Sequence, residues 1–132
     1  MPLKPLHAAS LPAPRFRYSP CVQAGPMRQA SGMLGLDAAT GRLEDGGAGP
    51  ETRRILQNML AALPEWGVEL SDLLVARIYT TRMDRFAEIN AEWEAVFAEG
   101  TVPPARTSIG VAALPLGATV EIEFCFWREA AR

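Results

Sequence analysis

One arginine and two glutamates near the carboxy terminus are the residues of this chain best suited to chemistry. Arg106 stands in Pro103-Pro104-Ala105-Arg106-Thr107-Ser108, at the mouth of a predicted strand that continues through Ile109 and Gly110. A turn at Pro115 to Gly117 leads into a second strand, where Val120, Ile122, Phe124 and Phe126 alternate with Glu121, Glu123, Cys125 and Trp127. That period places the apolar set on a core and the glutamates on the other face. A guanidinium is a planar fork that meets a carboxylate through two parallel, charge-assisted bonds. At roughly 1.5–3 kcal/mol net for a bond to a charged group, it orients a small acid even in a shallow site. The glutamates have two readings, a solvated face, which alternation by itself favours, and a buried polar site. In a buried site the pKa of Glu121 rises toward neutrality, so that it can orient or deprotonate a water, with Glu123 as a structural neighbour.

The stretch from Pro104 to Glu123 resembles the carboxy-terminal signature of the RidA (YjgF) family, roughly P-A-R-[ST]-x-x-x-V-x-x-L-P-x-x-A-x-V-E-I-E. Arg106, Val111, Leu114, Pro115, Ala118, Val120, Glu121, Ile122 and Glu123 all fall in register. Upstream, Tyr18-Ser19-Pro20, Ser31-Gly32, Thr40-Gly41 and Phe86-Ala87-Glu88-Ile89-Asn90 are similar to further family segments, so the resemblance spans residues 15 to 128. It implies an α+β fold of the chorismate-mutase-like kind, a single mixed sheet with two helices on one face. It further implies a homotrimer with sites between subunits. The implied activity is hydrolysis of 2-imino or enamine-derived acids to 2-keto acids and ammonia, with no cofactor and no metal.

By position in the family pattern, Arg106 holds the substrate carboxylate and Glu121 the water. Tyr18 closes the pocket or polarises the substrate nitrogen, and Ser31, Gly32, Asn90 and Ser108 contribute to substrate binding. Each minor member has a plainer alternative: Tyr18 as a strand-edge aromatic, Ser31 as turn chemistry, Asn90 as a polar residue on a helix surface. Ser108 stands where many members carry cysteine, and Met33-Leu34-Gly35 replaces the usual Gln-x-Pro, which changes the pocket rim. A non-catalytic trimer that senses a small carboxylate or keto acid through the same arginine is the competing function.

At 132 residues the chain is long enough for one domain with its own core. Its formal charge of -2 comes from 15 acidic and 13 basic residues without a basic stripe, which argues against nucleic-acid partners. Cys21 and Cys125 lack metal or redox spacing and are expected as reduced thiols, which suits a cytoplasmic location. The segment Met1 to Pro14, with Pro2, Pro5, Pro12 and Pro14, reads as a flexible tail preceding a domain over 15–132. It has no continuous apolar run of the kind a signal peptide needs. Its His7 is the only histidine, expected in solvent rather than in catalysis. No run approaches the roughly 20 apolar residues of a membrane helix, so no membrane partner is expected.

These residues need elements to position them. Strands are predicted at Cys21 to Ala24 and Met27 to Leu34, with a connection from Asp37 to Pro50. A helix follows over Glu51 to Trp66, ended by Pro64 and Gly67. Ser71 to Thr81 is a strand with Leu74, Ala76 and Ile78 on one face. A second helix begins at Asp84, its Phe86, Ile89, Trp93, Val96 and Phe97 stepping along a core stripe. The order β-β-α-β-α-β-β gives one sheet with both helices on one side. The other face, bearing Glu121, Glu123, Cys125 and Trp127, is left for neighbouring subunits to cover.

Overall fold

The computed structural model describes residues 2–130. Six strands form one sheet in the order β1-β2-β3-β6-β4-β5. They are β1 (Lys4–Leu6), β2 (Cys21–Ala24), β3 (Met27–Ala30), β4 (Leu73–Thr80), β5 (Ala105–Gly110) and β6 (Val120–Trp127). Every pairing is antiparallel except β4 with β5, which a helical crossover joins in parallel. The helices are α1 (Ala48–Trp66) and α2 (Phe86–Val96). Val120, Ile122, Phe124 and Phe126 of β6 are wholly buried in one core with Ile55, Leu56, Met59 and Trp66 of α1 and Ile89 of α2. Trp66 meets Phe126 edge-on, with ring centroids 6.0 Å apart.

The start of α1 is set by Gly47, whose φ of 83° turns the chain into the helix three residues before the acidic Glu51 noted from sequence. Pro64 does not end this helix. The chain stays helical to Trp66, and the left-handed Gly67 caps it, its N–H directed to the carbonyls of Leu63 and Pro64. The donor missing at Pro64 would have met Leu60, which lies on the exposed side of the helix, so the omission is tolerated there.

Four further sequence expectations are corrected. The segment read as a flexible tail supplies β1, with Leu6 opposite Cys21 and buried in the core. Pro5 is acceptable there because an edge strand has donors to spare. The strand expected to reach Leu34 stops at Ala30, and Met33 rejoins the sheet as an isolated bridge to Ile122. A bulge between Leu73 and Val75 turns Leu74 outward, so Leu73, Ala76 and Ile78 form the core face of β4. Finally, the strand with Arg106 and the strand with Glu121 are not partners, because β4 lies between them.

Candidate functional site

The sheet divides the sequence-predicted residues into two groups. Across β4, Arg106 lies opposite Ala76 and Ser108 opposite Ile78, so both belong to the face that packs on the helices. Glu121 pairs with Tyr79 and Glu123 with Arg77, on the helix-free face. Within one chain the fork and the candidate base therefore do not meet.

Around Arg106 the helix α2 builds a socket. Nη1 of Arg106 donates to Oδ1 of Asn90 at 2.8 Å. The guanidinium carbon lies 5.3 Å from the ring centroid of Phe86 and 5.2 Å from that of Trp93, within cation–π range. Phe86 and Trp93, read from sequence as core alone, thus also position the arginine. Their helical spacing signalled a stripe, but only the β4–α2–β5 crossover brings Arg106 over it.

The second group lines a cleft of about 380 Å³ that includes Tyr18, Ser31, Gly32 and Glu121. Ser31 Oγ donates to the carbonyl of Ser19 at 2.7 Å, and its N–H donates to the carbonyl of Pro20 at 2.8 Å. These two bonds fix the backbone beside Tyr18. Glu121 is half-buried with its carboxylate laid against Gly32, where a Cβ would stand only 2.7 Å from Oε2. Burial, and secondarily the charge of Glu123, lift the Glu121 pKa above the ordinary carboxylate range.

Glu123 has different surroundings. It accepts the Tyr79 phenol at 2.6 Å and lies 3.8 Å from Nη1 of Arg77. The bond to Glu123 holds the Tyr79 proton in place and raises its pKa. Two neighbouring carboxylates are thereby differentiated, one held by a phenol and a guanidinium and one left in an apolar setting.

Both cysteines are free and buried, and burial pushes the Cys21 thiol up to about 12, so it is no nucleophile. His7 is exposed. Among the described residues no helix is long and apolar enough to cross a membrane.

Sequence reasoning missed Glu51 as a positioning residue, noting only that it is acidic in the first helical turn. Its buried carboxylate accepts the Thr119 N–H at 2.9 Å, the Thr119 hydroxyl at 2.6 Å and the Val120 N–H at 3.4 Å, fixing the start of β6 ahead of Glu121.

The family model described as Endoribonuclease L-PSP matches residues 8–126. A RutC family protein of Aquifex aeolicus is 33% identical over 92% of this chain and 96% of its own. The 2-iminobutanoate/2-iminopropanoate deaminase of Mus musculus is 32% identical over 91% of this chain and 87% of its own. Among solved structures, RidA from an Antarctic Psychrobacter superposes with a TM-score of 0.86 at 31% identity, covering 94% of this chain and 98% of that one. The chain belongs to the Endoribonuclease L-PSP family, the family of the YjgF and RidA proteins, and has its fold of one mixed sheet and two helices.

Proposed function

We propose that this protein hydrolyses 2-imino acids to 2-keto acids and ammonia, in sites completed between copies of a cytoplasmic homotrimer. The observation that carries this reading is the Glu121 carboxyl, set over Gly32 in an apolar cleft with its pKa raised. The name of the mouse relative, a 2-iminobutanoate/2-iminopropanoate deaminase, agrees with it. The trimer is supported by the helix-free face of the sheet, where Met27, Ile109 and Trp127 leave apolar surface in water beside Arg77 and Tyr79. It is also supported by the separation of Arg106 from Glu121, since a second copy can supply the missing half.

In the proposed reaction, Arg106 of one copy takes the substrate carboxylate through its fork, with Asn90, Phe86 and Trp93 fixing the guanidinium. Glu121 of the next copy accepts a proton from water as the water oxygen bonds to the electrophilic C2 of the protonated imine. The resulting carbinolamine loses its nitrogen as ammonia, the proton returning to the departing amine, and C2 becomes the ketone. Tyr18, at the same cleft, closes over the substrate or donates to the amine nitrogen of the carbinolamine. Holding one water and one acid in contact removes much of the entropic barrier. RNA cleavage has less support, because a chain of net charge -2 offers phosphates no basic surface.

The test is an imino acid generated in situ by an amino-acid oxidase, with 2-keto acid release followed over time. Release should accelerate in proportion to protein added. A rate equal to buffer alone, with keto acid still bound by the protein, would favour the non-catalytic binder instead.

A further inference from the structure

Resting on the imino-acid reading of the same site, we infer that the substrate side chain is bulky and apolar, of the leucine or phenylalanine kind. Leu116, Phe16, Met33 and Leu34 are the walls that select it. The cleft holding Glu121 and Tyr18 measures about 380 Å³, within the roughly 300–1,000 Å³ of pockets that enclose a whole small molecule. Besides the polar groups already described, Arg15 and Asn58 line it with their side chains bonded to the carbonyls of Gly41 and Leu36, and most of the remaining lining is apolar, including Leu11, Phe16, Met33, Leu34, Leu36 and Leu116. A three-carbon imino acid presents one methyl group to these walls and would leave most of them wet.

Leu116 adds a second observation. Its φ of 60° makes it the only non-glycine with positive φ among the described residues, yet its side chain is 50% exposed. A leucine is a poor residue for left-handed backbone, and one so exposed adds little to the core in return. Phe16 is likewise 81% exposed while lining the cleft. Apolar groups held at such positions have surface left for what enters the cleft, beyond any that the neighbouring copy covers. The polar set of Glu121, Tyr18 and Ser31 serves the reacting end, and the apolar walls receive the side chain.

The experiment compares imino acids made by oxidase from leucine, phenylalanine and alanine, alongside calorimetric binding of the three matching 2-keto acids. Since one methylene in an apolar pocket changes specificity about tenfold or more, kcat/KM for the leucine-derived imine should exceed that for the alanine-derived one at least tenfold. Keto-acid affinities should follow the same order. Leu116→Asn keeps a residue that tolerates the left-handed turn and so should fold. It should cut turnover and binding of the bulky compounds several-fold more than those of the alanine-derived ones. Equal or better handling of the alanine-derived imine, together with equal binding of its keto acid, would overturn the inference. Binding in the expected order without hydrolysis of any imine would remove the catalytic reading and leave the side-chain preference standing. An equal loss for all substrates in Leu116→Asn would remove Leu116 from the selecting walls.

Discussion

Gly32 lies outside the left-handed region, so its missing side chain answers to its neighbour: the Glu121 carboxylate occupies the place of a Cβ. Gly32→Ala is compatible with the local backbone, and the atom it strikes is the end of a flexible side chain that can swing away. The variant should therefore melt within a few degrees of the parent while losing about 10²-fold in turnover, toward the lower end of what a positioned general base contributes. Melting temperature and kcat on one preparation check both halves. Glu121→Gln makes a complementary case. The raised pKa means that the base form of Glu121 fills in above the usual carboxylate value of about 4.3, so kcat/KM should climb with pH through a limb lying above it. For stability the sign is opposite. The native state binds this proton more tightly than the unfolded chain does, so the contribution is present at low pH and is lost as pH rises through the folded pKa. Glu121→Gln should thus remove the pH-dependent limb and cost about 10²–10⁴-fold in rate. It should also hold or raise the melting temperature at about pH 8, with no such gain at about pH 4. A falling melting temperature at pH 8 with unchanged rate would make Glu121 structural.

At the scale of elements, α1 and β6 are joined by the Glu51 carboxylate as well as by their apolar faces. Glu51→Ala strips the acceptor from the Thr119 and Val120 N–H groups, and an orphaned buried donor costs about 1–3 kcal/mol. Urea unfolding should show a lower midpoint with an unchanged slope, because the same surface is exposed on unfolding. The alternation in β6 and the stripe in α2 made most of the sheet and both helices legible in the sequence, since their periods report which face is buried. Long-range geometry was not legible. The three residues of β1 contain a proline and are specified by their partners in β2 rather than by a pattern of their own. The bulge at Leu74 breaks the period that would have placed it. The insertion of β4 between β5 and β6 separates Arg106 from Glu121, and the registers of β5 and β6 against β4 set the two on opposite faces, which no local spacing records. The signature residues Arg106 and Glu121 were visible, whereas the cradle of Phe86 and Trp93, the fit against Gly32 and the anchor at Glu51 depend on contacts between segments distant in sequence.

For the whole molecule, one sheet covered by helices on a single side leaves a face with both apolar and ionic groups, and leaves each half of the proposed site without the other. A closed ring of three copies with head-to-tail contacts would address both. Light scattering should give three times the 14.3 kDa chain mass, and a monomer at working concentration would remove the trimer. The most direct test of a site shared between copies combines two disabled variants. Arg106→Lys keeps the charge and loses the fork, while Glu121→Gln keeps the shape and loses the base, so each homotrimer should be nearly inactive. In random one-to-one mixed trimers, verified by mass spectrometry, about a quarter of the interfaces pair an intact Arg106 from one copy with an intact Glu121 from the next. Imine hydrolysis should return to about that fraction of the parent's activity; mixed trimers no more active than the two separate variants would contradict the shared site.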